Sequence, residues 1–357
     1  MKFFHYVNDR INLYNKNFTL SFPFKIIKEV NAINNISNLL TDLKKISVIA
    51  DSYIMKNFAY KLNFCNKKVK KIIFNGECSP REFYRLKNIL LNYKGECIVA
   101  LGGGKTMDIA KLLKRDLQDN MLILVPTSAS TCAAVTSVSV MYDNTGVYMS
   151  TVDSSAPDFV IIDYEFFYKL PLSFYAAGIA DTIAKYFEIR VCWKLQKFKD
   201  IYDEFVYEFS KFIYLKLKKI IEKFNNMDNT IKEELTDINI LFSGLISIIG
   251  KYSNTVSAAH AIAHSMTIEK NAQKFLHGEL VAFGTLMQEK VLGNKKNVDE
   301  LNYFFSILDI PVKISQFGIS KENIDKFFEF FCKIRNNEKI LFPKNNNIMY
   351  NNLMKNF

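Results

Sequence analysis

The chain has 357 residues, too many for one small core, and 49% of them are hydrophobic, which excludes a disordered or low-complexity polymer and predicts a globular protein of two domains. Lys and Arg number 47 against 36 Asp and Glu, a formal charge of +11, but the basic residues are spread through an Asn-, Ile-, Lys- and Phe-rich sequence. No nucleic-acid or membrane partner is therefore expected, although the balance suits anionic ligands.

Cys65, Cys78, Cys97, Cys132, Cys192 and Cys332 form no CxxC pair, which argues for reduced thiols and against a disulfide framework or zinc ribbon. The N-terminal MKFFHYVNDRINLY carries Asp9 and Arg10 where a signal peptide needs an unbroken apolar core, so a cytoplasmic protein is expected. The first 45 residues pattern weakly, with an extended stretch near Phe18 to Phe22 and a helix-like NNISNLLTDLKK.

KISVIA, Lys45 to Ala50, reads as a short buried strand ending at Asp51. An acidic residue there either accepts the adenine ribose hydroxyls, favouring NAD over NADP, or caps the next helix. KKIIFNGECS places another strand before Ser79, and Ser79-Pro80-Arg81-Glu82 reads as a capping box with Pro at the first helical position, opening a helix to about Tyr93. ECIVAL then runs directly into Gly102, Gly103, Gly104, Lys105, Thr106, Met107 and Asp108 and a further helix. Strand, glycine loop, helix is the layout that offers backbone N–H groups and a helix N-terminus to a phosphate; a simple tight turn is the alternative. Val99 stands where a P-loop needs glycine, and Lys105 and Met107 break the GxGxxG spacing, so neither of those fingerprints applies.

MLILVP is the next strand, leading into the hydroxyl-rich TSASTCAA and a predicted hairpin around the turn Asp143, Asn144, Thr145 and Gly146. APDFVIIDYEF closes the series. Strand–helix alternation over residues 45 to 165 predicts a parallel sheet covered by helices on both faces.

After Pro171 the pattern is helical throughout. Asp181 falls among small and apolar residues, either as a surface or capping group or as a buried carboxylate facing a cation. Helices are predicted at about 198–224, 229–251, 254–270, 277–292 and 320–334, the run Ile238 to Ile249 being too short to span a bilayer and so a core helix. The Asn-rich tail NNNIMYNNLMKNF is given no function.

Three of the four histidines, His260, His264 and His277, fall in one stretch, with His5 far away. His260 and His264 are four apart in AAHAIAH and share a helix face; His277 opens a second helical run. Imidazoles on neighbouring helix ends plus one carboxylate can hold a borderline cation with a position left open, while helix packing alone predicts the same residues.

GGGKTMDIAK, PTSAST, AAGIADTIAKYFE, AAHAIAH and KFLHGELVAFGTLMQ, in this order, resemble the metal-dependent dehydrogenases of the glycerol dehydrogenase and iron-containing alcohol dehydrogenase superfamily, with dehydroquinate synthase a more distant relative. The resemblance runs from about Lys45 to Leu292. It implies an α/β fold of dehydroquinate synthase-like architecture: a Rossmann-like parallel-sheet domain over residues 1–168 and an all-helical metal- and substrate-binding domain over 169–357. It implies Asp181, His260 and His277 as ligands of one divalent ion, with Lys185 where iron-type members carry a further histidine, hence Zn²⁺ as the expected metal. His264 is the candidate proton relay. Gly102, Gly103, Gly104 and Lys105 are expected at the dinucleotide pyrophosphate, with Asp51, Asp108, Thr127, Ser130, Thr136, Val138 and Tyr142 around the rest of the cofactor, NAD or, less favoured by Asp51, NADP.

Glycerol dehydrogenases usually carry an aspartate where this chain has Cys132, a substrate-site position. Loss of that charge weakens a polar diol site and removes repulsion against an anionic substrate. The first expectation is therefore hydride transfer between a nicotinamide cofactor and a 2-oxo acid/2-hydroxy acid pair, closest to a hydroxycarboxylate dehydrogenase-like subgroup, by a homo-oligomeric enzyme. Glycerol or 1,2-diol oxidation, a dehydroquinate synthase-like lyase and a non-enzymatic basic binding protein are the alternatives.

Overall fold

The structure, a computed structural model, describes residues 20–118, 120–196, 199–250, 255–343 and 346–356. The chain divides into two compact units with a boundary between Leu170 and Pro171. His5, Asp9, Arg10, Phe18 and Thr19 lie outside the described residues.

The first unit is built on six parallel strands: β1 (Lys25–Glu29), β2 (Lys45–Ala50), β3 (Lys68–Ile73), β4 (Cys97–Gly102), β5 (Met121–Pro126) and β8 (Phe159–Asp163). Their order is β1-β8-β5-β4-β2-β3. The central strands read as continuous apolar runs because both faces are covered, with every residue of β4 buried. The edge strand β3 instead carries three exposed lysines, Lys68, Lys70 and Lys71, which discourages pairing with another chain. Strands β6 (Val138–Tyr142) and β7 (Tyr148–Asp153) form the expected separate antiparallel hairpin. Its turn is tied by the Asp143 carboxylate, whose Oδ1 accepts from Thr145 N, Thr145 Oγ1 and Val147 N.

Among the described residues the first strand is β1; residues 20–22, the described part of the expected extended stretch, form no strand, and β1 pairs in parallel with β8 from Lys25 against Phe159 to Glu29 against Asp163. The buried Asp163 carboxylate then accepts from Asn31 N at 2.8 Å and Ile33 N at 3.2 Å, fixing the 3₁₀ turn Ala32–Leu39 that stands where a longer helix is predicted. At Ser79 only half of the capping box forms. Ser79 Oγ accepts from Glu82 N, but the Glu82 carboxylate turns to Asn75 and Arg85 instead of back to the cap. The longer α-helices described in this unit are α1 (Ser52–Asn57), α2 (Pro80–Tyr93) and α3 (Gly104–Leu117), with a single turn at Glu165–Tyr168.

The second unit is helical: α4 (Leu172–Leu195), α5 (Ile201–Ile221), α6 (Asn229–Thr236), α7 (Ser243–Ile249), α8 (Ala258–Met266), α9 (His277–Val291), α10 (Lys295–Ile307), α11 (Ile324–Asn337) and α12 (Asn346–Met354). Between α6 and α7 the expected straight helix carries a π-helical turn, Asp237–Phe242. Helix α10 is absent from the sequence reading, and the tail forms α12, docked through buried Met349 and Leu353. No described helix is long and apolar enough to cross a membrane.

Helix α9 approaches two neighbours at backbone distance. A Cβ on Gly278 would fall 1.8 Å from the Ala177 carbonyl oxygen of α4, and one on Gly284 would fall 2.2 Å from that of Ala259 in α8. Only glycine permits this three-helix contact. It sets the first residue of α9, His277, against the middle of α4 and the start of α8.

Candidate active site and metal centre

In the first unit, Asp51, the glycine loop and Thr127 follow the carboxyl ends of three adjacent strands, β2, β4 and β5. Strand order reverses between β2 and β4, the position at which open parallel sheets bind ligands. Gly102 has φ +154°, and a Cβ there would meet Thr106 Oγ1 at 2.5 Å, so the turn itself demands glycine. Gly103 differs: an added Cβ meets nothing nearer than Ser128 Cβ at 3.9 Å. Packing alone does not require glycine there, and the space it leaves lies at the start of a 14-residue helix whose N-terminus has no side-chain cap. That combination fits a pyrophosphate. A Cβ on Gly104 would crowd Thr131 Oγ1 at 3.1 Å, so the loop also runs close beside the hydroxyl-rich segment.

The other expected cofactor residues divide by what they already hold. Asp51 is the N-cap of α1, its Oδ1 accepting from Ile54 N at 2.9 Å, which realises the capping alternative. Asp108 Oδ1 lies 3.0 Å from Lys111 Nζ and its Oδ2 accepts from Val140 N at 3.1 Å. Lys111, wholly buried, also donates to Thr136 Oγ1 at 3.2 Å and to the Val138 carbonyl. Asp108, Thr136 and Val138 thus belong to an internal network that fastens the hairpin to α3. Burial pushes the Asp108 carboxyl above its ordinary value, with Lys111 pulling it partly back. Lys105 pairs with Glu77 Oε1 at 2.5 Å and lies 4.8 Å from the centre of the Tyr142 ring. Ser130 Oγ and Ser128 Oγ are 2.8 Å apart, while Thr127 is nearly buried and donates its N–H to Gly102 O. Cys132 is a nearly buried thiol in that segment.

In the second unit, Asp181, His260 and His277 come together. Asp181 Oδ1 is 3.3 Å from His260 Nε2 and 3.7 Å from His277 Nε2, and one donor atom from each residue falls within 4.8 Å of the others. That oxygen is buried and makes no hydrogen bond among the described residues. Ligands of a tetrahedral ion held at about 2.0–2.1 Å lie about 3.3 Å apart, so the spacing matches edges of a coordination polyhedron. The donor set, two imidazoles and a carboxylate, fits a divalent ion of the zinc or iron type.

The surrounding charges support the same reading. Burial alone would raise Asp181, but the two histidines and Lys185 outweigh it and hold the carboxyl far below its ordinary range. Burial likewise opposes the charged form of His260, yet Glu188 and Asp181 raise it to about 10. His277 is lowered to about 4 by burial and by His260, despite Asp181. His264, buried with its ring centre 5.6 Å from that of His277 at an interplanar angle of 26°, is pushed well down by burial and by both other imidazoles. Lys185 Nζ donates to Ser247 Oγ at 2.8 Å.

Two residues escaped the sequence reading. Glu188, wholly buried, accepts from His260 Nδ1 at 2.5 Å, and Gln288 Oε1 accepts from Ala258 N at 3.1 Å. The spacing of Glu188 was the available signal: seven residues after Asp181, it shares that residue's helix face.

Residues 23–164 match the model of the family described as iron-containing alcohol dehydrogenase. In sequence the chain is similar to the glycerol dehydrogenase of Thermotoga maritima, 30% identical over 333 residues that cover 88% of this chain and 89% of that protein. It is also similar to hydroxycarboxylate dehydrogenase A of Escherichia coli, 28% identical over 268 residues, 72% of this chain and 73% of that one. Its fold is similar to that in the crystal structure of a probable glycerol dehydrogenase from Sinorhizobium meliloti 1021, with TM-score 0.83 and 24% identity, covering 95% and 98% of the two chains. Likeness over nearly the whole of both chains in sequence, and the matching fold, show that this protein is a dehydrogenase belonging to the iron-containing alcohol dehydrogenase family.

Proposed function

We propose that the protein transfers hydride between a nicotinamide dinucleotide and a small vicinal diol or its hydroxy ketone, of which glycerol and dihydroxyacetone are the type pair. The observation that carries this is the buried Asp181 Oδ1, flanked by His260 Nε2 and His277 Nε2 and satisfied by no hydrogen bond among the described residues. A divalent ion bound there supplies a Lewis acid that polarises a carbonyl or acidifies an alcohol. Zinc is favoured over iron by Lys185, which stands where iron-type relatives have a further histidine and is engaged with Ser247.

In the oxidative direction the substrate carbon gives a hydride to nicotinamide C4 and its hydroxyl gives a proton to solvent. His264 is the candidate for passing that proton on. Since burial disfavours its imidazolium, a relay through it takes up one proton as it gives up another. Gly103 and the uncapped start of α3 support dinucleotide binding in the first unit.

The diol reading reverses the order of preference drawn from Cys132. The Thermotoga maritima relative bears the glycerol dehydrogenase name over most of the chain. The 2-oxo acid reading stays as the second, supported by the uncharged Cys132 and by the Escherichia coli relative named for hydroxycarboxylates. The test is cofactor oxidation by the zinc-loaded protein with NADH and NADPH, comparing dihydroxyacetone with a panel of 2-oxo acids. Dihydroxyacetone turnover is expected, and His260→Ala should lower kcat/KM on the order of a thousandfold, the loss of several kcal/mol of charge stabilisation. Preference for 2-oxo acids transfers the assignment to the second reading; turnover of neither class sinks both.

A further inference from the structure

Glu188 projects from α4 into the start of α8 and uses both carboxylate oxygens there. Oε1 accepts from Ser257 N at 2.9 Å and His260 N at 3.0 Å, while Oε2 accepts from His260 Nδ1 at 2.5 Å. A helix N-terminus leaves N–H groups without partners, and here side chains of other helices take them, Glu188 two and Gln288 the one on Ala258. With Oε1 already accepting two backbone N–H groups, Oε2 is placed as the acceptor in its bond to Nδ1, so Nδ1 carries the hydrogen of that bond. The opposite ring nitrogen, Nε2, faces Asp181 Oδ1 at 3.3 Å and is the one left to a metal ion, which would take the place of any proton that nitrogen carries. Two wholly or nearly buried carboxylates thus flank one imidazole, an excess of negative charge that a cation would balance.

We infer that Glu188 is a positioning residue for metal binding: it fixes the His260 tautomer and, with the same carboxylate, pins the helix start that carries His260. The inference rests on the metal reading of Asp181, His260 and His277. It adds that ligand geometry and the register of α8 are set by one buried group on the helix that also supplies Asp181. Outer partners of this kind typically change metal affinity by about 10–100-fold when altered.

Glu188→Gln separates positioning from capping. The amide oxygen can still accept from Ser257 N and His260 N, but the amide nitrogen then faces Nδ1 as a donor and drives the ring hydrogen to Nε2, into the metal position. Zinc affinity by chelator competition should fall about 10–100-fold, while the metal-free melting temperature stays near that of the parent. Nitrogen-15 NMR of the histidine rings should show Nδ1 protonated in the parent, with or without zinc, and unprotonated in the metal-free variant. Unchanged zinc affinity in a folded Glu188→Gln overturns the inference, as does a parent protein whose His260 Nδ1 carries no proton. If the variant does not fold, the parent's ring signals decide. If the parent binds zinc no better than His260→Ala, the metal reading itself fails, and the Nδ1 signal still reports whether Glu188 sets the tautomer.

Discussion

In the first unit, Asp108, Lys111, Thr136 and the Val138 carbonyl satisfy one another, whereas in the second unit Asp181 Oδ1 lies buried beside two imidazole nitrogens and makes no hydrogen bond among the described residues. Asp108, Thr136 and Val138 are expected at the cofactor as Asp181 and its two imidazoles are at a metal, and the residue names alone give both sets a claim to a ligand. What separates them is whether their polar atoms are already spent. A buried polar atom left unpaired costs about 1–3 kcal/mol, so one that lies beside two nitrogens at coordination spacing supports the proposal that a cation is its partner. The Lys111 network instead holds the hairpin to α3.

The sharpest way to break that contrast is Lys111→Met. It strands the Asp108 carboxylate in a dry interior without its cation and should destabilise the protein by about 3–5 kcal/mol, measured by denaturant unfolding at neutral pH. The double variant Asp108→Asn/Lys111→Met should recover much of the loss, because neither charge is then buried alone. Losses that simply add would show that the two side chains do not act as a pair. Zinc affinity of the folded Lys111→Met protein should match the parent; a fall would mean that the network reaches the metal site and the contrast is false.

A smaller effect is expected at Gly278, which tests whether the metal geometry depends on helix approach. Its absent Cβ would overlap the Ala177 carbonyl, a backbone atom that cannot swing aside. Gly278→Ala should therefore displace α9 at its first turn, costing about 1–3 kcal/mol, and should weaken zinc binding because His277 is the neighbouring residue. Lost stability with zinc affinity retained would show that the triad tolerates the shift.

The sequence was most legible where one residue type has one physical use. β4 reads as a strand because Cys97–Gly102 is apolar throughout, and the loop after it because Gly102 needs a backbone angle that other residues resist. Asp181, His260 and His277 were named from resemblance, while their being gathered depends on Gly278 and Gly284, whose role appears only when the helices touch. β1 was missed because KIIKE is short and largely exposed at a sheet edge, stabilised by pairing with β8, 130 or so residues away in the register that sets Lys25 against Phe159. The tail helix α12 was missed because Asn-rich composition gives little periodic signal, and two buried side chains, Met349 and Leu353, suffice to dock it.

Glu82 shows the same lesson at the smallest scale, since a motif that predicts a local cap is used for a different bond. Its Oε1 accepts from Asn75 N at 2.9 Å and from Arg85 at 2.6 Å, and its Oε2 accepts from Arg85 Nε at 2.8 Å, tying the end of β3 to α2. Burial raises its carboxyl, but Arg85 and Asn75 outweigh this and bring it below its ordinary value. A carboxyl whose folded value is lowered contributes stability above its unfolded value of about 4.3, and loses it as pH falls through the folded value. Glu82→Gln should therefore cost about 1–2 kcal/mol at pH 7, the lower part of the range for bonds to a charged group because Arg85 is partly exposed. Thermal melts of both proteins should converge as pH falls below the unfolded value and through the lowered folded one. A gap that persists unchanged to pH 3 would mean that the Glu82 charge adds nothing beyond the shape of its side chain, and that the half-formed box at Ser79 is the whole of its role.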